Sequence, residues 1–87
     1  VKRHILVSEK KAAIRAIAEA LSFPSWFGQN LDALYDSLTD LSWLPAGKYV
    51  LVVPADLDPS VADVLRDAAR RNAGSGDRTL RVIRTER

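Results

Sequence analysis

Phe23–Leu44, FPSWFGQNLDALYDSLTDLSWL, is the stretch from which the rest of the chain can be read. Within it Leu31, Leu34, Leu38 and Leu41 recur at three- and four-residue spacing, which predicts a short helix over Asn30–Leu41 with one buried stripe. Asp32, Asp36 and Asp40 fall on another side of that helix at i, i+4 and i+8, beside Tyr35 and Thr39. Asn30 suits the N-cap, where a side-chain oxygen accepts from an orphan amide one turn on. The helix works against itself. Each pair of like charges four residues apart costs about 0.2–0.5 kcal/mol, Asp is a weak helix former, and Asp40 sets an anion at the negative end of the dipole.

No nearby cation relieves this cost. Between Arg15 and Lys48 there is no Lys or Arg, and residues 16–47 carry four acids: Glu19, Asp32, Asp36 and Asp40. The remainder holds thirteen cations against seven anions. A row of acids ordinarily does no more than solvate a helix. Here large aromatics stand beside it (Trp26, Phe27, Tyr35 and Trp43), and Trp and Tyr are enriched at interface hot spots. The stretch therefore reads as a cation-seeking surface, with some of its rings, Phe27 first among them, turned into the core.

On the N-terminal side, Arg3–Val7 (RHILV) reads as a first strand. Ser8 is placed to cap a helix over Glu9–Leu21, with Glu9 favourable in its first turn. Ala13, Ile14, Ile17, Ala18 and Leu21 form its apolar face, and Lys10, Lys11, Arg15 and Glu19 its wet one. Pro24 stops continuation into the acidic helix. Gly28 is expected to hold a backbone conformation that a Cβ would resist.

On the C-terminal side, Pro45 and Gly47 mark a turn, and Tyr49–Val53 (YVLVV) reads as a central strand covered on both faces. Asp58 followed by Pro59 predicts a capped helix start, with Val61, Val64, Leu65, Ala68 and Ala69 on its buried side. Gly74-Ser75-Gly76 ends it, and Thr79–Ile83 is the last strand. Strands alternating with helices imply an α/β fold, a small three-stranded parallel sheet packed with helices, with the acidic helix between the first and second strands.

Eighty-seven residues, 47% of them apolar, make a single globular domain over 1–87. The absence of cysteine removes disulfides, thiolate metal sites and thiol nucleophiles, and suits a reducing compartment. No leader-like or membrane-spanning apolar run is seen, so a cytoplasmic protein with no membrane partner is expected. The net charge of +2 is mild, so the separation of charge matters more than its total.

The run Phe23-Pro24, then Trp26-Phe27-Gly28-Gln29-Asn30-Leu31-Asp32-Ala33-Leu34-Tyr35-Asp36-Ser37-Leu38-Thr39, resembles the signature of the barstar family of intracellular ribonuclease inhibitors. That signature is an apolar residue and Pro, two aromatics, Gly, an acid or amide, then Asn-Leu-Asp-Ala-Leu-aromatic-Asp. The near-contiguous match spans about a fifth of the chain, and the rest agrees in length and element order. The resemblance implies the same sheet and a partner: a secreted, extracellular-type microbial ribonuclease, held in check inside a bacterial cell. By the same resemblance Asp36 is the principal phosphate mimic and Asp32 a second acidic contact. Trp26, Asn30 and Tyr35 shape and fill the interface, and Gly28 holds the loop. Asp40 extends the acidic face, Asp67 adds an acid from the following helix, and the loop contact falls to Leu41 or Trp43. Family members are often acidic overall. A target of neutral or acidic net charge with a cationic active site would suit this mildly basic chain better.

Other chemistries fit less well. His4, the only histidine, reads as a surface strand residue rather than a general base. Carboxylates one helical turn apart on a wet face lack the tuning that acid–base catalysis needs. A magnesium site would draw ligands from other segments. No enzyme, metal or cofactor is expected, and the four glycines make no phosphate-binding fingerprint. The alternative is a small RNA-binding domain using Arg66, Arg70, Arg71, Arg78, Arg81, Arg84 and Arg87. No aromatic residue lies in that basic quarter to stack on bases, so direct nucleic-acid contact is not expected.

Overall fold

The acidic helix is anchored at both ends by its own sequence and packed against the last helix, which in turn lies on a sheet built from three separated runs. The structure, a computed structural model, describes residues 2–24, 28–72 and 76–85. Its elements in chain order are β1 (Lys2–His4), α1 (Lys10–Ala20), α2 (Leu31–Asp40), β2 (Gly47–Val53), α3 (Pro59–Asn72) and β3 (Arg78–Arg84). The strands form one parallel sheet, as the alternation of elements implied, and their order in it is β1-β2-β3.

The first strand is shorter than its apolar run. β1 ends at His4, the amide of Ile5 donates to the Val52 carbonyl, and the chain then leaves the sheet. Ile5 is buried, whereas Leu6 is 87% exposed and Val7 is also exposed, so hydrophobicity overstated this strand. Ser8 does not cap α1. Its carbonyl instead accepts from the Asp58 amide, and Glu9 is the N-cap, its carboxylate accepting from the Ala12 amide at 3.1 Å. Ala13, Ile14 and Ile17 are buried on α1, and Ala18 is half-buried at the margin. The helix ends in a Schellman arrangement: Ser22 at φ 53°, its amide donating to Glu19 and that of Phe23 to Ala18. Pro24 follows directly.

Asp58 caps α3 as its sequence required. Its carboxylate accepts from the amides of Ser60 and Val61, with Pro59 as the first helical residue. Val61, Leu65 and Ala68 are fully buried. The sheet departs from expectation in one respect. Tyr49, Leu51 and Val53 of β2 and Leu80 of β3 join the core formed with all three helices, while Val50 and Val52 alternate away from it. The helical layer therefore lies on one face of the sheet, with α3 against β3 and α1 and α2 packed on α3. Val52 is nonetheless buried, because a central strand is shielded by neighbours on both flanks. The opposite face carries His4, Val52 and Ile83 in one row and Lys2, Val50 and Arg81 in the next.

Candidate partner-binding face

α2 forms where its leucines, rather than its aspartates, favour it. Leu34 and Leu38 are 0% exposed, and burying such side chains contributes about 1.5–3 kcal/mol each, more than the charge repulsion on the other face removes. Asn30 is the N-cap, its side-chain oxygen accepting from the Ala33 amide at 2.8 Å. At the other end Leu41 adopts φ 51° and ψ 20°, a left-handed conformation uncommon for a residue with a Cβ. It is held by its amide donating to Ser37, by the Leu44 amide donating to its carbonyl, and by a side chain 1% exposed. Leu41 therefore belongs to the core and offers nothing to a partner; of the two loop residues, only Trp43 keeps any exposed surface.

The loop after α2 is pinned from three directions. The Trp43 indole N–H donates to the Leu21 carbonyl at 3.0 Å, and its ring meets Phe23 edge-on with centroids 5.4 Å apart. The Tyr49 hydroxyl donates to Pro45, and the Arg78 guanidinium donates to Leu44 at 2.6 Å. Trp43 thus has its only hydrogen-bonding group engaged within the fold, leaving ring surface for any partner. Arg78 is tied to this loop, which removes it from the arginines free to meet phosphate.

Asp32, Asp36 and Asp40 are exposed, as is Asn30. The Ser42 hydroxyl donates to the Asp40 carboxylate at 3.1 Å, and the Thr39 hydroxyl donates back to the carbonyls of Tyr35 and Asp36. Asp32, Tyr35, Asp36 and Asp67 line one shallow cleft of about 420 Å³ between α2 and α3, with Leu31 and Val64 as its apolar lining. Three carboxylates and a phenol from two helices thus converge. Among the described residues no cation lies within ion-pair distance of Asp32, Asp36 or Asp67. Val64 was expected in the core and Leu31 in the buried stripe. Both are half-buried, and only the crossing of the two helices shows that they floor a cleft.

Gly28 differs from expectation. It is exposed, its φ is not positive, and among the described residues a Cβ there would meet only the Asn30 side chain at an ordinary 3.6 Å. Its role as a holder of the loop therefore has no steric support. Trp26 and Phe27 lie outside the described residues. Such a face is suited to accepting charge-assisted hydrogen bonds from Arg or Lys of another molecule, with Tyr35 and Trp43 supplying flat apolar surface. Among the described residues no three His, Cys, Asp or Glu side chains group to hold a metal ion, and no helix is long and apolar enough to cross a membrane.

A family model described as Barstar (barnase inhibitor) matches residues 5–83, nearly the whole chain. No curated protein sequence matches the chain at a significant level. The chain belongs to the barstar family, whose members are inhibitors rather than enzymes and bind ribonucleases.

Proposed function

Starting from that membership, we propose that the chain inhibits a secreted microbial-type ribonuclease in the cytoplasm of the cell that makes it. A ribonuclease gathers cations to bind the RNA backbone. A rigid helix that offers carboxylates at those phosphate positions occupies the same site and presents no bond to cleave. Asp36 is the principal mimic and Asp32 the second, on adjacent turns with about 5–6 Å between Cβ atoms. Asp67 contributes from α3, and Asp40 extends the negative field. Asn30 shapes the entry to the helix, and Tyr35, Trp43 and Trp26 supply the aromatic surface that excludes water around the ion pairs.

The observation that supports this reading is the cleft in which Asp32, Asp36 and Asp67 stand exposed, with no cation of the described fold within ion-pair distance. A fold gains little by gathering three like charges, and a cationic partner gains a great deal. The same field would steer encounter, so association should slow as salt rises.

The test is capture of secreted microbial ribonucleases on the purified chain, followed by assay of each captured enzyme. Asp36→Ala should weaken inhibition by about 2–5 kcal/mol, a range whose measured cases include a barstar-family complex. Folding stability should stay level or rise slightly. An affinity change below about 1 kcal/mol, or clear unfolding of the variant, would remove Asp36 from this role.

A further inference from the structure

β3 is an edge strand, and its free side adjoins a groove that the acidic face does not use. The amide of Gly47 donates to Asp77 and that of Thr85 to Val53, which fixes the phase of the β2–β3 ladder. In that phase the backbone groups of Leu80, Val82 and Arg84 point away from β2; Leu80 is buried in the core, so those open to a partner are on Val82 and Arg84. Among the described residues nothing accepts from or donates to them. Beside this edge a groove of about 820 Å³ runs between α3 and β3, floored by apolar residues including Leu65, Ala69 and Val82. Its charged side chains on the helix side are Arg66, Arg70 and Arg84 against Asp56 and Asp63, and Arg81 stands beside it on the open face of the same strand. Asp63 is already taken, 3.0 Å from Arg66.

We propose that this edge and groove take up an extended acidic peptide segment as a fourth strand. Strand addition supplies affinity through main-chain hydrogen bonds and specificity through alternate side chains. One side-chain row of the added strand would lie in the groove near Arg70 and Arg84, the other beside Arg81 and Ile83 on the open face. Apolar residues would fill the groove and carboxylates would meet the arginines. A second copy of β3 is disfavoured, because charged side chains on an edge oppose pairing with a like-charged strand. Single-stranded RNA is disfavoured because no aromatic residue lines the groove to stack on a base.

The test uses a capped synthetic nine-residue peptide of alternating valine and glutamate, with the full chain, followed by fluorescence anisotropy and amide hydrogen exchange. Saturable binding below about 1 mM is expected, with exchange at Val82 and Arg84 slowed by about tenfold or more. N-methylation of alternate peptide amides, or glutamate replaced by lysine, should abolish it. The double variant Arg81→Glu, Arg84→Glu, at two exposed positions, should weaken binding by about tenfold or more while leaving the melting curve in place. Absence of saturation at about 1 mM overturns the proposal. So does binding that survives N-methylation, or an RNA oligonucleotide that binds through the same arginines without protecting these amides. Asp36→Ala should leave peptide binding unchanged, so this inference and the inhibitor reading can fail separately.

Discussion

α2 and α3 lie against each other, yet their charges are arranged on opposite principles. α3 opens on an Asp58 cap, pairs Asp63 with Arg66, and ends with Arg70 and Arg71 in its last turn, where the dipole favours cations. α2 has a sound cap in Asn30, but it spaces Asp32, Asp36 and Asp40 one turn apart, has no basic residue in its last turn, and ends on a left-handed Leu41. The contrast separates two uses of charge. In α3 the charges support the helix they sit on. In α2 they cost the helix stability, and the buried leucines beneath make up the loss. A charge pattern that the fold itself does not need is the sign of a surface kept for another molecule.

Four measurements would test this contrast, in descending order of expected effect. Leu34→Ala or Leu38→Ala should each lose about 2–5 kcal/mol of stability by chemical denaturation, since both are wholly buried. A neutral result for both would mean that α2 does not rest on its leucines. Arg78→Met should lose about 1.5–3 kcal/mol, the worth of a hydrogen bond from a charged group, by freeing the Leu44 carbonyl. It should also loosen the loop beside Asp40, visible as faster amide exchange at Leu44. Asn30→Ala should lower the melting temperature by the equivalent of about 1 kcal/mol, through loss of the Ala33 cap.

The last measurement is a pair with opposite signs. Asp36→Asn should raise stability by about 0.2–0.5 kcal/mol for each like-charge pair relieved. Arg71→Gln should lower it by about 0.3–1 kcal/mol through the helix dipole. Both shifts should shrink in high salt. If Asp36→Asn destabilised the fold, the view of α2 as a helix carrying charge for a partner would be wrong.

Much of this was legible in the chain itself. Asn30 and Asp58 announced their helices because capping is local chemistry between a side chain and amides two or three residues on. The three strands and their parallel sense followed from apolar runs alternating with amphipathic ones. Where reading failed, the choice lay between near neighbours or beyond the reach of local pattern. Glu9 rather than Ser8 caps α1. β1 stops early because Leu6 and Val7 leave the sheet. Gly28 looked obligatory from its setting, yet among the described residues a Cβ there would touch only Asn30.

The candidate face divides along the same line. Spacing alone set Asp32, Tyr35 and Asp36 together, since a helix repeats every 3.6 residues whatever surrounds it. Only the packing of α3 on α2 brings Asp67 and Val64 into their cleft, and only the return of the loop to the end of α1 engages the Trp43 indole N–H on Leu21. The sequence by itself determined which residues repel one another, because that is a matter of local period and charge. The tertiary structure decided which of them meet across elements and which remain open to another molecule, because burial is a property of neighbours that the chain brings in from far along its length.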